Sequence, residues 1–365
     1  MDLLRSPFPF QGPLDPDEVV GRLDLRADLA RRVRERRLTA LLGPRRYGKT
    51  SVLRRVAADL GAEGVETIWV DLFATSSMAD LASALDRGLA ETHGRFRRVL
   101  DRLAGSLSLQ LGLLGVQLSG GARDRPDPAM KVRLMLQMLL QAAEKHDLLL
   151  VVDEFSGIAG VPNAAALLRT ELQHHYRDLG IVFAGSQPST MAQLFTDRAQ
   201  PFFAQADLVD IPPLTDAEVA QLVGQGFDRT GRDPGVAVGH VVALAAGHPQ
   251  RAMQLADACW AHVEPGGIAT EDTWLTALAE VRRSVDSGSE RLFALLPGGH
   301  QKVLRAVAGG GSPLGVAGEL LDLPASTAQA GIKALLGTAD LVRRDGRLVL
   351  VDPLFADWIR RRFPL

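Results

Sequence analysis

Residues 43–51 read GPRRYGKTS, and they stand between the apolar run LTALL and an amphipathic stretch, SVLRRVAADL. Gly43, Gly48, Lys49 and Thr50 satisfy every fixed position of G-x-x-x-x-G-K-[ST]. Few patterns limit a chain so tightly. The glycines let consecutive backbone N–H groups turn inward on an anion, and a helix starting near Lys49 adds the positive end of its dipole. Lys49 is then placed for β- and γ-phosphates, and the Thr50 hydroxyl for Mg²⁺. The candidate nucleotide-binding residues are therefore Gly43, Pro44, Arg45, Arg46, Tyr47, Gly48, Lys49, Thr50 and Ser51.

A phosphate loop of this kind requires an acidic partner on a second buried strand. LLLVVDEF, residues 148–155, supplies it, because five aliphatic residues in a row suit a parallel strand covered on both faces. Asp153 becomes a metal-holding candidate together with Thr50, and Glu154 the residue that polarises an attacking water. LGIVFAGSQPS (179–189) reads as a third strand. Ser186 just past it is either a catalytic contact to the γ-phosphate or water, or a turn serine. VETIWVDLF (65–73), ending at Asp71, and DLVDIPPL (207–214) complete a set of strands alternating with helical stretches. Such alternation predicts an α/β fold with a doubly wound parallel sheet, its ligand at the carboxyl ends of the strands.

The remaining bulk properties narrow the class. The 365 residues suggest two or three domains, and 46% hydrophobic with 23% charged residues is ordinary globular composition. A formal net charge of −2 means that any nucleic-acid contact has to come from a local patch. The single cysteine, Cys259, excludes an internal disulfide and reads as a small apolar helix residue. The opening MDLLRSPFPFQGPLDPDE lacks the pattern of a secretory signal, and no apolar run reaches membrane-spanning length, so a cytoplasmic location is expected. RRVRERR (31–37) reads as a solvated helix face, and His174–His175 have no metal-ligand spacing around them.

Taken in order, VVGRLDLRADLARRV (19–33), GPRRYGKTSVL, VVDEF, AGSQPS, IPPLTDAEV and AAGHPQRAMQLA resemble AAA+ ATPases. They look most like the archaeal-type ATPases, a branch similar to the signal-transduction ATPases with numerous domains and to origin-recognition ATPases. The resemblance spans most of residues 19–260. It implies a P-loop NTPase domain, residues 1–211, followed by a helical lid, 212–284. It also implies that Val20 and Gly21 lie next to the adenine, that Pro249 heads a lid helix facing the nucleotide, and that Arg251 is the candidate for reaching the phosphates. Phe8 and Phe10 either cover the base or pack against helices. Relatives often carry an arginine in the stretch matching PFFAQAD (201–207), but this chain has Gln205 there; the nearest arginine is Arg198. Either Arg198 serves or turnover is slow, because such an arginine contributes about 10³–10⁵ in rate.

Two further segments carry expectations. In GSLSLQLGLLGVQLSG (105–120), Leu107, Leu109, Leu111 and Leu113 alternate with small or polar residues, which predicts an inserted β-hairpin. SVDSGSERLFALLPGGH (284–300) reads as the connection to a last domain, 285–365, with helices near 299–308, 313–321 and 325–337 and a hairpin around Asp345–Gly346. Three helices and a hairpin form the winged-helix pattern. Residues 286–365 hold ten Lys and Arg against eight Asp and Glu. Arg343, Arg344 and Arg347 flank the hairpin and offer phosphate contacts to duplex DNA, while Lys333 is the one basic residue of the recognition-helix candidate. The reading that results is a Mg²⁺-dependent ATPase switch acting on a protein partner or through self-assembly. A DNA-binding ATPase of replication, recombination or repair is the alternative, and an ATP sensor with little hydrolysis a third.

Overall fold

The computed structural model describes residues 6–92, 94–113 and 127–365. They form two compact units, one of residues Leu23–Gly43 and Lys49–Ile211, the other of Met1–Arg22, Pro44–Gly48 and Pro212–Leu365.

The unit built on Leu23–Gly43 and Lys49–Ile211 is an α/β sheet domain. In chain order it runs α1 (Leu23–Arg34), β1 (Leu38–Leu42), α2 (Lys49–Ala62), β2 (Glu66–Asp71), α3 (Met78–Ala90), α4 (Gly94–Leu113), α5 (Pro128–Ala143), β3 (Leu148–Asp153), α6 (Ala164–Leu172), β4 (Gly180–Gly185), α7 (Pro188–Thr196) and β5 (Asp207–Asp210). All strand pairs are parallel, in the order β2-β3-β4-β1-β5. Every residue of β1, β3 and β4 is buried, as unbroken aliphatic runs demand when helices cover both faces. The edge strands alternate or lie open instead. Register pairs Leu42 with Gly185 and Val152 with Phe183, so the carboxyl ends of three adjacent strands finish side by side.

Residues 105–113 depart from the hairpin expectation. They are the last turns of α4; residues 114–120 lie outside the described residues. Phe96 and Leu100 are buried in the sheet domain's core and Leu103 packs against it. In the sequence, Leu107 and Leu111 continue the same helical spacing. The two-residue alternation was thus one reading of leucines that also satisfy a 3.6-residue repeat, and the helix already nucleated at Phe96 decides between them.

The other unit is mainly helical. α8 (Asp216–Asp228), α9 (Ala237–Ala245), α10 (Pro249–Ala261) and α11 (Glu271–Ala294) surround a core that includes Phe8, Val219, Phe227, Trp260 and Trp274. A second cluster lies under α12 (Gly298–Ala308), α13 (Val316–Leu320), α14 (Ala325–Gly337), the antiparallel pair β6 (Leu341–Arg344) and β7 (Arg347–Leu350), and α15 (Pro353–Arg362). The tight turn at Asp345–Gly346 has positive φ at both residues, 48° and 77°, as a two-residue hairpin needs. Residues 284–294, expected in a linker, are instead the final turns of α11. Val281, Ser289 and Phe293 are buried there and Val285 packs on the core, so a small serine carries the helical stripe through a polar-looking stretch.

Candidate functional site

In the sheet domain the functional side chains come from the strand ends. β1 delivers Gly43, and α2 begins at Lys49. Gly43 has φ 154°, and a Cβ there would stand 2.2 Å from Ile211 Cγ2, so only glycine fits. Lys49 is buried, and its Nζ donates to the Gly43 carbonyl at 2.8 Å. The lysine's ammonium is thereby held at the base of its own loop. One residue on, Thr50 Oγ1 donates to Asp153 Oδ2 at 2.7 Å. Asp153 is 5% exposed, and burial pushes its carboxyl above the usual range. The Thr50 hydroxyl and the Glu154 N–H oppose that shift, and the neighbouring charges of Glu154 and Asp71 add to it. A hydroxyl and a desolvated carboxylate in contact are the hard oxygen donors Mg²⁺ prefers, so this pair fits the ion.

Glu154 sits in the left-handed region, φ 50° and ψ 38°, uncommon for a side chain of its size. The conformation is held from both sides. Its N–H donates to Asp153 Oδ1 at 2.9 Å, and the next residue, Phe155, is fully buried and stacks on Phe183 at 4.0 Å between ring centroids. Ser186, at the end of β4, is buried, and its Oγ donates to Glu154 Oε2 at 2.7 Å. Ser186 thus grips the acidic side chain directly. Gln205 accepts a hydrogen bond from Tyr176 at 2.6 Å, and Arg198 is exposed. The arginines of 31–37 are engaged by Asp28, Glu35, Glu63, Asp147 and Asp207, so that face is an ion-paired surface.

The loop's middle, Pro44–Gly48, belongs to the helical unit. Arg46 and Gly48 have φ of 65° and 81°, and Arg45 and Arg46 are exposed. Tyr47 is 2% exposed, and its ring meets that of His248 edge-on at 5.1 Å. Arg22, unremarked in the sequence beyond its place beside Gly21, is buried with Nη1 on the Tyr47 carbonyl (2.6 Å) and Nη2 on the Pro212 carbonyl (2.8 Å). Burial lowers its pKa to about 10, partly offset by Glu218. Glu218 accepts from the Arg22 N–H and caps α8 through Thr215; its carboxylate fills the space a Cβ on Gly21 would need. The T-x-x-E spelling at Thr215 was a legible signal for that cap. Val20 packs against the helical core, as does Phe10, and Phe8 is buried against Phe227 at 5.7 Å; of the two readings of these phenylalanines, packing on helices holds.

Pro249 opens α10 behind His248, whose ring accepts from the Arg251 N–H. Burial drives the His248 pKa down to about 4, against the pull of Asp352. Arg251 lies on the carboxylate of Asp352, with Nε at 3.0 Å and a second bond from Nη2, and Nη1 on Gln254. Burial alone would raise the Asp352 carboxyl, but Arg251 outweighs it and holds the group below its ordinary range. Among the three arginines of the hairpin, Arg343 and Arg347 are exposed, while Arg344 donates to Tyr47 Oη and to the Ala246 carbonyl. Among the described residues no group of three or more His, Cys, Asp or Glu is placed to hold a metal by itself, and no helix is long and apolar enough to cross a membrane.

This geometry can be set beside known proteins. Residues 31–194 match the AAA domain family, which covers the loop, Asp153, Glu154 and Ser186. A Walker-type ATPase of Pyrococcus abyssi superposes with a TM-score of 0.70 at 18% identity, over 97% of this chain and 99% of its own. The ORC2 protein of Aeropyrum pernix, solved as ADPNP–ADP complexes, gives 0.59 at 16% identity over 96% of each chain. The ORC1 protein of the same organism, solved with DNA, gives 0.54 at 16% identity, over 98% of this chain and 97% of its own. No curated protein sequence matches the chain. Residues 31–194 thus resemble AAA domains, and the chain shares the fold of these solved structures, a parallel α/β sheet domain with a helical carboxyl-terminal region.

Proposed function

We propose that the chain binds Mg·ATP on residues 43–51 and hydrolyses it slowly, as a nucleotide-driven switch acting on a protein partner or on its own assembly. The observation that carries this reading is the bonded series Thr50–Asp153 and Glu154–Ser186 at adjacent strand ends, beside a buried Lys49. Thr50 and Asp153 would hold Mg²⁺, which when bound supplies Lewis-acid neutralisation of phosphate charge. Lys49 exchanges the Gly43 carbonyl for phosphate oxygen. Glu154 accepts the proton of the attacking water, and Ser186 sets the rotamer from which it does so. The absence of arginine at Gln205 argues for slow turnover, with exposed Arg198 as the residue available to another subunit. Val20, Gly21, Pro249 and Arg251 keep their proposed places beside the nucleotide. For Arg251 that place requires release from Asp352.

Residues 285–365 are proposed as a winged helix. Duplex DNA is the second reading, favoured by the exposed Arg343 and Arg347, by Ser326, Thr327 and Gln329 exposed on α14, and by the fold shared with an ORC1 protein solved with DNA. Against it, Arg344 is engaged within its own unit, and Arg361 is paired with Asp357 and Asp286. Steady-state ATP turnover across protein concentrations, with and without duplex DNA, separates the readings. A DNA-indifferent rate that rises per subunit with concentration supports the switch. Stimulation by DNA that fades as salt rises supports the second. Nucleotide affinity unchanged in Lys49→Ala would remove the loop from either account.

A further inference from the structure

Tyr47 is an odd residue for the middle of a phosphate loop. Its neighbours Arg45 and Arg46 are exposed, yet Tyr47 is buried and bonded at both ends. Its carbonyl accepts from Arg22 Nη1 at 2.6 Å. Its phenol oxygen accepts from Nη2 of Arg344, 297 residues away on β6, at 2.5 Å. The other arm of that guanidinium donates to the carbonyl of Ala246, at the end of α9, at 3.0 Å. Burial raises the Tyr47 pKa and Arg344 partly offsets it, so the phenol stays protonated and its hydroxyl accepts a charge-assisted bond. The loop between the two glycines includes Arg46 at positive φ, a conformation that persists only when its surroundings hold it.

We infer that Arg344 is a positioning residue for the phosphate loop: from the carboxyl-terminal hairpin it clamps Tyr47 and so pre-shapes residues 44–48 for the phosphates. This rests on the nucleotide-binding reading above and adds its control by a distant element. Without the clamp the loop must be ordered at the moment of binding, which weakens affinity without touching the chemistry. Because the same guanidinium is one of three the hairpin carries, an anionic partner that draws Arg344 away loosens the nucleotide, and by linkage bound nucleotide withholds Arg344 from that partner.

The test uses the full chain and a fluorescent ADP analogue. Tyr47→Phe and Arg344→Met should each speed its dissociation about tenfold, the scale of a hydrogen bond to a charged group. The double variant should be no faster than the faster single. Arg344→Met should raise KM for ATP by a similar factor with kcat within about twofold, since uniform binding is lost. Arg344→Lys, which retains one donor, should recover part of the effect. A residue acting only on stability would shift the unfolding midpoint and leave dissociation and KM alone, and that result overturns the inference. Single effects that multiply in the double variant overturn it too. If the wild-type chain itself binds no nucleotide, the ATPase reading fails. If wild type binds, Lys49→Ala does not, and Tyr47→Phe matches wild type, only the clamp fails.

Discussion

Asp352 is the most exacting place to perturb the helical unit. It accepts two bonds from Arg251 and also caps α15 through the N–H groups of Leu354 and Phe355. Asp352→Asn keeps an acceptor for the cap but removes the charge opposite Arg251, whose side chain is only 11% exposed against 30% for Asp352. Breaking a buried pair by removing one partner costs about 3–5 kcal/mol, and the partial exposure of Asp352 reduces this to about 2 kcal/mol. Asp352→Ala loses the cap as well, about 1 kcal/mol more. Urea unfolding followed by tryptophan fluorescence suits the question, because Trp260, Trp274 and Trp358 lie in this unit and Trp69 does not. With a slope of about 2 kcal/mol/M, Asp352→Asn should lower the midpoint by roughly 1 M. Adding Arg251→Met should recover part of the loss, since the double variant leaves no charge unpaired. A shift under about 0.5 kcal/mol, or strict additivity of the two substitutions, would refute the claim that these residues act as a pair.

Acidification should destabilise the same unit. With a folded pKa of about 4 against 6.5, His248 is neutral in the native state while the unfolded chain takes up a proton, so stability falls between those values as pH drops, by about 3 kcal/mol in all. Arg46 and Arg251 oppose that proton and Asp352 favours it; His248→Gln should flatten the fall in a pH series of urea midpoints. Gly43→Ala should destabilise the sheet domain by about 1–3 kcal/mol through the Ile211 contact, read as a loss of protease resistance in residues 23–211. Glu154→Gln should lower turnover about 10²-fold or more while ATP stays bound, and an unchanged rate would remove Glu154 from the reaction.

Much of the sheet domain was legible because its signals are local. Unbroken aliphatic runs ending in DE or GS, and a glycine-lysine-threonine turn after one of them, need no tertiary information to be placed. The two misreadings share a cause. Leucines at 107–113 satisfy two periodicities at once, and the polar 284–294 hides a helical stripe that includes a serine. In each case a helix begun upstream continued through residues whose own preferences were weak. Arg251 shows a different limit. Arg251 was expected to face phosphate, yet nothing near it in sequence announces Asp352, which lies 101 residues on.

The sequence alone determined that this chain carries a glycine-lysine-threonine loop, an adjacent carboxylate pair and the strands of an α/β sheet, because each is spelled by residues within about ten positions of one another. Tertiary structure decided which side chains hold those groups in place: Ser186 on Glu154, Arg22 and Arg344 on Tyr47, Asp352 on Arg251. These are pairings between separate elements. Their energy comes from desolvation and geometry that exist only once the chain has folded, so no local pattern could encode them.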